Sequence, residues 1–208
     1  MLVDMHIHEK TFSLDSFLTL EEIVAIAKQR GLDAVCITDH DSMALRDYCE
    51  EYSRKIGFPI FVGVEFLSYW GDITAFGVDR FPDHRVSAQE FIDHVNKSGG
   101  FCTSCHPFRK NMRGLAEHLR DVKGLHGVEV LNGSTSMELN REALQYCREL
   151  NLKAIGASDA HVPQNVAKYV TWLPEKVDKL EDFVAQLHQC ETKPAIWNGS
   201  SYDVVTTF

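Results

Sequence analysis

The feature that most limits the possible folds of this chain is a repeated alternation of short apolar runs with helical segments. The runs are apolar on both faces and rich in Val, Ile and Phe, which is typical of buried parallel strands. Predicted strands cover residues 2–7, 34–38, 60–66, 73–78, 100–104, 127–131, 154–157 and 169–173. Predicted helices cover residues 20–30, 42–56, 87–98, 115–122, 136–150 and 179–189. This order predicts either an α/β barrel or a doubly wound sheet.

The helix predicted at 20–30 has the clearest boundaries. Thr19 and Glu22 have the spacing of a capping box, and Gly31 follows as a stop signal. No Pro/Gly/Ser-rich linker and no low-complexity tract divides the 208 residues. The sequence therefore predicts a single domain spanning residues 1–208.

The overall charge limits the kind of partner. A net charge of −9 argues against stable binding of duplex nucleic acid, which requires a basic surface. It leaves room for a small anionic substrate, because bound divalent metals reverse the local field. The chain shows neither a signal-peptide pattern nor an apolar run long enough for a membrane span, and its six cysteines are typical of reduced thiols. These features predict a cytoplasmic protein.

One local pattern has several interpretations. Cys102, Cys105 and His106 match CxxCH, the attachment signature of c-type haem. Haem attachment needs export, for which the sequence gives no signal. A structural zinc site would need a second cysteine pair, and none is found. A redox pair stays an alternative, but the pattern favours a strand end that carries a functional histidine.

Nearly every predicted strand ends in metal-binding or acid-base side chains: Asp4, His6, His8, Asp39, His40, Asp41, Glu65, His106, Glu129, Asp159 and His161. Strand alternation places positions 4, 6 and 8 on one face. Barrels assemble their active sites from the carboxyl ends of many strands, whereas open sheets use one switch point, so the pattern favours a barrel. A cluster of imidazoles and carboxylates suits zinc, manganese or iron.

Each of these residues alone has an ordinary interpretation. A single histidine at a strand end is usually a surface or hydrogen-bonded loop residue. Asp39 and Asp41 could simply cap a helix and interact with its dipole. Recurrence at separate strand ends is what favours a metal site. Five further histidines fall on predicted loops and helices and are interpreted as ordinary residues: His84, His94, His118, His126 and His188.

The motifs, taken in order, resemble those of the polymerase-and-histidinol-phosphatase (PHP) family of phosphoesterases. They are Asp4-x-His6-x-His8, Ile37-Thr-Asp39-His40-Asp41, Gly63-x-Glu65, Cys105-His106-Pro107-x-Arg109, Glu129-Val-x-Asn132-Gly133 and Ser158-Asp159-Ala-His161. The resemblance extends from residue 2 to about residue 173. It implies a distorted seven-stranded (β/α)7 TIM-like barrel, with two or three divalent ions (Mn, Fe or Zn) at its C-terminal face.

The resemblance also implies a ligand set. One metal would be held by His6, His8, Glu65 and Asp159, and a second by His40, His161 and Asp15. Asp15 corresponds to an acidic residue that often follows the first motif, although it could be a plain loop aspartate. Glu65 and His106 would share a third ion.

Two departures from the family pattern affect the site. Many relatives carry a histidine on the strand after Glu65, where this chain has Thr74, a poor ligand for zinc or manganese. Asp72 is a possible substitute, so the third ion stays in question. The segment between His106 and Asp159 is also too short for the covering domain of some relatives, which predicts an open site.

The family chemistry implies hydrolysis of a phosphate ester by metal-activated water. Asp39 is expected to orient a ligand, and Arg109 to contact phosphate, unless it forms a surface salt bridge. The substrate would be a small phosphorylated metabolite, a nucleotide or a short oligonucleotide. The alternatives are a metal-dependent amidohydrolase, which usually has a lysine where Glu65 stands, and a non-catalytic PHP module that binds a protein partner.

Overall fold

Residues 1–205 are described by a computed structural model, which arranges them into strands and helices in mixed order. The strands are β1 Leu2–Ile7, β2 Ala34–Ile37, β3 Ile60–Val62, β4 Val64–Leu67, β5 Asp72–Phe76, β6 Phe101–Ser104, β7 Gly127–Asn132, β8 Lys153–Ala157, β9 Tyr169–Trp172, β10 Lys193–Trp197 and β11 Tyr202–Val204. The α-helices are α1 Leu20–Gln29, α2 Arg46–Ile56, α3 Ala88–Lys97, α4 Met137–Glu149 and α5 Leu180–Gln189.

The strands form two separate sheets. The six-stranded sheet has the order β11-β10-β9-β1-β2-β3, and the five-stranded sheet has the order β4-β5-β6-β7-β8. Only β1, β2 and β3 run parallel in the first sheet, and only β6, β7 and β8 in the second. Two isolated bridges join the sheets: Ile7 at the end of β1 pairs with Ala160 after β8, and His40 after β2 pairs with Glu65 in β4.

The predicted seven-stranded (β/α)7 barrel is wrong, because the strands divide between two sheets and do not close. Parallel neighbours need a crossover of a dozen or more residues. The turn at 68–71 that joins β4 to β5 is much shorter, so these strands pair antiparallel, and β5 pairs antiparallel with β6 as well. In the other sheet β9, β10 and β11 also pair antiparallel. The repeated βα unit is therefore interrupted in both sheets.

Gly63 divides the strand that was predicted as one element over 60–66. Its N–H donates to the Ile37 carbonyl, so β3 ends beside β2, whereas β4 begins on the other side and pairs with β5. A Cβ at position 63 would lie 2.5 Å from the Ala75 carbonyl oxygen, so only glycine fits here. One residue thus moves the chain from the first sheet to the second and places Glu65 between them.

Local signals were predicted better than the overall topology. The capping box of α1 is confirmed: the Thr19 hydroxyl accepts the Glu22 N–H, and the Glu22 carboxylate accepts the Thr19 N–H at 3.0 Å. The segment predicted as a helix at 115–122 forms only the short 3-10 helix Ala116–Arg120. The strands β10 and β11 were not predicted. The C-terminal stretch 199–208, to which no function was assigned, contains β11, and its last three residues lie outside the described range.

The apolar core has three parts. Two of them lie between a sheet and the helices that cover it. The third lies between the sheets and includes stacked and edge-on aromatic rings from Phe61, Phe76 and Phe183. This inner core fills one end of the space between the sheets, so the polar side chains collect at the other end. Within residues 1–205, no helix has the length and apolar character that a membrane crossing requires.

Candidate metal centre

Four buried side chains converge where the two sheets meet, and we call them the inner site: His6, His8, Glu65 and Asp159. The Nε2 atoms of His6 and His8 lie 2.9 Å apart. Glu65 Oε2 lies 3.5 Å from the His6 Nε2 atom and 3.3 Å from that of His8. Asp159 Oδ1 lies 3.6 Å and 3.3 Å from the same two nitrogens. Side chains separated by more than 150 residues thus present four donor atoms to one point.

The spacing of these atoms fits a metal ion. A tetrahedral zinc ion with bonds of 2.0–2.1 Å holds its ligand atoms about 3.3 Å apart. The inner-site distances of 2.9–3.6 Å bracket that value. Glu65 Oε2 and Asp159 Oδ1 are also buried. Asp159 Oδ1 has no hydrogen-bond partner, whereas Glu65 Oε2 is met by imidazole nitrogens, the nearest being His40 Nδ1 at 2.7 Å. A buried carboxylate oxygen is costly unless something positive meets it.

The electrostatics of the inner site favour positive charge. Burial alone would raise the pKa of Glu65, but the facing imidazoles, His6 above all, hold it well below its usual range. The pKa of Asp159 is lowered in the same way, against the effect of burial. Burial lowers the pKa of His8 to about 4, so its imidazole is neutral at physiological pH. Two carboxylates and a neutral imidazole form a donor set suited to a divalent cation.

Backbone geometry contributes to this convergence. The register between β1 and β2 shifts between Asp4 and Ile7, so strict alternation fails along β1. The prediction that Asp4 shares a face with the two histidines is wrong for this reason. Its carboxylate accepts the N–H groups of Ser158 and Ala167, and burial raises its pKa to about 6. Asp159 itself has a φ of 50°, in the left-handed region. Non-glycine residues with such a backbone conformation cluster at functional sites.

Carboxylates behind the histidines fix their orientation. Glu129 Oε1 lies 2.7 Å from His6 Nδ1, which leaves Nε2 facing the inner site. Glu129 was part of a quoted motif but had no assigned role. Its other oxygen accepts the His106 N–H and the Asn132 amide N–H. Such partners of ligating histidines hold the ring in place and raise its basicity.

Asp39 acts on His8 through a serine. The Ser13 hydroxyl donates to Asp39 Oδ1 at 2.8 Å and lies 3.0 Å from His8 Nδ1. Asp39 also accepts the Glu9 N–H at 2.7 Å, and burial raises its pKa to about 6. Asp39 thus reaches His8 through Ser13, and this chain of contacts can fix the orientation of the His8 ring. Ser13 was not predicted, because it lies in the loop after β1 and belongs to none of the motifs.

The outer site, His40, His161 and Asp15, lies beside the inner site and opens to solvent. Asp15 Oδ2 lies 3.3 Å from His40 Nε2 and 3.4 Å from His161 Nε2. The two imidazoles are 24% exposed and the Asp15 side chain is 61% exposed. His8, His40 and His161 also present nitrogen atoms close enough to share one ion. The structure therefore brings together the three residues that the resemblance assigns to a second metal.

A third group of donors consists of Glu65, Asp72 and His106. His106 Nε2 lies 2.9 Å from Glu65 Oε1 and 3.8 Å from Asp72 Oδ2. Thr74 lies directly across the ladder from Glu65 and points its hydroxyl at the Thr103 carbonyl, 3.4 Å away. Because β5 is antiparallel, its first residue lies at the site end. That position brings Asp72, rather than Thr74, to the donors.

Two arginines border the site. Arg109, which was predicted to contact phosphate, pairs with Asp159 and donates to the Asn132 side-chain oxygen at 2.7 Å. Arg113 was not predicted to take part. It donates to both oxygens of Asp72, at 2.6 and 3.0 Å, and its Nη2 lies 3.4 Å from His40 Nδ1. The sequence contained an indication of such a role, because the segment 109–113 carries three cationic side chains in a chain of net charge −9.

Comparison with known sequences gives a family match and a distant relative. Residues 138–192 match the family model described as PHP-associated. An uncharacterized protein of Methanocaldococcus jannaschii is 26% identical over 141 residues, which are 64% of this chain and 82% of that protein.

Solved structures with the same fold carry enzyme names. A protein of Bifidobacterium adolescentis, classed provisionally as a metal-dependent phosphoesterase, has a TM-score of 0.65 at 19% identity, covering 89% of this chain and 95% of its own. An amidohydrolase from Chromobacterium violaceum, with bound sulfate and no metal, gives 0.68 at 18%, covering 89% and 96%. A lesion-specific endonuclease from Pyrococcus furiosus gives 0.68 at 15%, covering 92% and 57%.

The match over residues 138–192 agrees with the resemblance to the PHP family drawn from the motifs. At such identities the solved structures show a shared fold. The His, Glu and Asp groups of the site could hold divalent metal ions.

Proposed function

We propose that residues 1–208 form a metal-dependent phosphoesterase that hydrolyses a small phosphate ester. The observation that carries the proposal is the inner site, where two buried carboxylate oxygens lie 3.3–3.6 Å from the Nε2 atoms of His6 and His8. His6, His8, Glu65 and Asp159 would hold one divalent ion, and His40, His161 and Asp15 a second. The mixed nitrogen and oxygen donors suit Mn, Fe or Zn.

The chemistry supplied by divalent ions at such a site is acidification of water and neutralisation of charge on the phosphoryl oxygens. In the overall reaction the oxygen of water bonds to phosphorus, the bond from phosphorus to the ester oxygen breaks, and the released alcohol takes up a proton. Glu129 and the Asp39–Ser13 pair hold the imidazoles of His6 and His8 in position. Arg109, at the edge of the inner site, would turn its fork to a phosphoryl oxygen.

The surroundings of the outer site favour an ester with an organic leaving group. Leu14 is 95% exposed beside Asp15, and Met112 is 97% exposed beside Arg113. Phe12 and Phe17, in the same loop as Asp15, are 40% and 73% exposed. Exposed aromatic side chains stack on bases, and exposed aliphatic ones add apolar contact area. We therefore include nucleotides and the ends of short oligonucleotides among the candidate substrates.

The second candidate is an amidohydrolase, which the name of the Chromobacterium violaceum neighbour favours. The two reactions use different substrates on similar metal sites, so a direct assay separates them. The presence of Glu65 where amidohydrolases usually carry a lysine favours the phosphoesterase.

The test is a substrate screen on purified protein reconstituted with Mn²⁺, Fe²⁺ or Zn²⁺. The panel contains simple phosphomonoesters, nucleoside bisphosphates, short single-stranded oligonucleotides, and a set of amides and lactones. We expect metal-dependent release of phosphate or of a nucleotide from at least one phosphate ester. His84→Ala, which changes an exposed histidine far from the site in sequence, serves as the control for His8→Ala.

Hydrolysis confined to amides or lactones would move the chain to the second candidate. Protein that binds no divalent ion after gentle preparation and reconstitution would contradict both.

A further inference from the structure

The third group of donors is incomplete as a metal site. The resemblance predicts a histidine at position 74, but Thr74 supplies only a hydroxyl that is turned toward the Thr103 carbonyl. Glu65, the second member, already faces the inner site through its other oxygen. Glu65 Oε1 and His106 then depend on Asp72 as the third donor, and both Asp72 oxygens accept from one side chain, Arg113.

Arg113 is fixed in this place by the backbone as well as by its side chain. Its carbonyl accepts the Asp72 N–H at 2.7 Å, so the two residues are paired through main chain and side chain alike. Gly71, just before Asp72, packs so closely on the 113–115 backbone that a Cβ would lie 2.6 Å from the Gly114 carbonyl carbon. Because the two segments are locked together, the guanidinium is held beside Asp72 before any substrate arrives.

The guanidinium also lies where it can reach a phosphoryl group. Arg113 Nη2 lies 3.4 Å from His40 Nδ1, at the boundary between the outer site and the third group. The side chain is 35% exposed, so part of it is accessible to solvent and to a substrate. A guanidinium has five N–H donors in a fixed plane, and Asp72 occupies two of them. The remaining donors match the oxygens of a phosphate.

We propose that the Arg113 guanidinium takes the place of a third metal ion in this chain. The protein would hold two ions, at the inner and outer sites, while Arg113, neutralising Asp72 beside His106, supplies the third positive charge to the phosphoryl oxygens. This inference rests on the proposed function and extends it, since it fixes the number of ions and adds a catalytic residue. It also accounts for Thr74, because a guanidinium needs no nitrogen ligand from β5.

Metal stoichiometry tests the proposal without depending on turnover. Wild-type protein, Arg113→Ala and the control Arg120→Ala, which changes an arginine paired with Glu149 on the surface, are reconstituted with Zn²⁺ or Mn²⁺ and desalted. Bound metal per chain is then measured by mass spectrometry. We expect two equivalents in wild type and in Arg120→Ala. In Arg113→Ala we expect a third, weaker equivalent, because Asp72 is released to join Glu65 and His106.

A kinetic measurement on the best phosphate ester complements the stoichiometry. Loss of a preorganised positive donor typically lowers kcat by about 10²–10³-fold. We expect a loss in this range for Arg113→Ala at metal concentrations that leave the third position empty, and a smaller one for Arg113→Lys, which keeps the charge but not the fork. The double variant Thr74→His/Arg113→Ala should bind the third equivalent more tightly than Arg113→Ala. Thermal unfolding of each variant confirms that it is folded.

Three equivalents in wild-type protein would overturn the proposal. It would also be overturned if Arg113→Ala matched wild type in both stoichiometry and kcat. A third equivalent or a loss of kcat of tenfold or more in Arg113→Ala, absent from Arg120→Ala, supports it. Fewer than two equivalents in wild type, or no hydrolysis of any phosphate ester, would instead contradict the proposed function.

Discussion

Two groups of histidines in this protein lie at opposite ends of the same strands, and a single sequence motif reaches both. Cys102 and His106 belong to the CxxCH pattern on and after β6. At one end His106 Nε2 lies 2.9 Å from the Glu65 carboxylate. At the other, Cys102 Sγ lies 3.4 Å from the Nδ1 atom of His126, whose ring meets His188 edge to face. We call His126 and His188 the distal pair.

The two groups differ in what their nitrogen atoms meet. In the distal pair, His126 Nδ1 accepts the Cys102 N–H at 3.1 Å, and His188 Nε2 lies 3.1 Å from the Gly100 carbonyl oxygen. A backbone group therefore meets one nitrogen of each ring. In the inner site, imidazole nitrogens face two buried carboxylate oxygens, of which Asp159 Oδ1 has no hydrogen-bond partner. A cluster of histidines is therefore not enough to indicate a metal site. The buried carboxylates beside the imidazoles of the inner site are what distinguish it.

The surroundings of Cys102 and His106 decide between the interpretations of the CxxCH motif. Burial raises the pKa of the Cys102 thiol to about 12, so it stays protonated at neutral pH. A reactive or redox-active cysteine needs a thiolate. All six cysteines are free, and the strand end at His106 faces Glu65 and Asp72. The motif therefore combines a structural thiol with a site histidine.

The largest effect is expected when a carboxylate is removed from the inner site. Asp159→Asn keeps the size of the side chain but removes the charge that faces His6 and His8. We expect bound metal to fall by at least one equivalent and kcat to fall by about 10³-fold or more, because a missing ligand disables the whole centre. The matched variant in the distal pair, His126→Asn, should retain both within about twofold. Equal losses in the two variants would show that the groups do not differ in this way.

Glu129→Gln changes a group that lies behind His6 and does not contact substrate, so it tests the positioning of the imidazole alone. Its carboxylate holds His6 Nδ1 at 2.7 Å, so the amide should loosen the ring and lower its basicity. Losing such a partner typically costs about 10–100-fold in metal affinity or activity. Competition with a fluorescent chelator measures the affinity, and kcat measured at saturating metal separates positioning from binding. An unchanged affinity would remove Glu129 from the metal centre.

Asp15→Asn compares the exposed outer site with the buried inner one. Asp15 is 61% exposed, so water can replace part of what its carboxylate provides. We expect a loss of activity of about tenfold at limiting Mn²⁺, largely recovered when Mn²⁺ is in excess, because weaker binding is compensated by mass action. Asp41→Asn, at an exposed aspartate that accepts the Leu67 N–H, provides the control. A loss that excess metal does not reverse would assign Asp15 a role beyond binding.

The sequence allowed the members of both metal sites to be proposed, but not the shape that brings them together. His6, His8, His40, Glu65 and Asp159 were found because they lie at the ends of strongly apolar strands. Asp72 was named only as a possible substitute for a ligand at position 74, and Arg113 was missed, because a barrel of parallel strands places only carboxyl ends at the site. In the actual sheets β5 runs the other way, so its first residue reaches the site. Strand direction depended on the short turn at 68–71 and on the break at Gly63, which apolar periodicity does not report.

The smallest expected effect concerns the distal pair alone and appears in the pH dependence of stability. Burial, with His188 and Lys153 nearby, lowers the pKa of His126 to about 4, against about 6.5 in the unfolded chain. Above pH 6.5 the ring is neutral in both states. As the pH falls from 6.5 toward 4, the unfolded chain takes up a proton that the folded protein excludes, so stability is lost.

His126→Asn keeps an acceptor for the Cys102 N–H but cannot titrate. Relative to wild type, its melting temperature should therefore improve between pH 7.5 and pH 5. Because the ring is only half buried, we expect a relative change of about 1–3 °C, measured on metal-free protein so that the site histidines contribute equally in both proteins. An identical pH dependence would mean that the ring protonates freely in the folded state. The distal pair would then differ from the metal centre in its neighbours but not in its protonation.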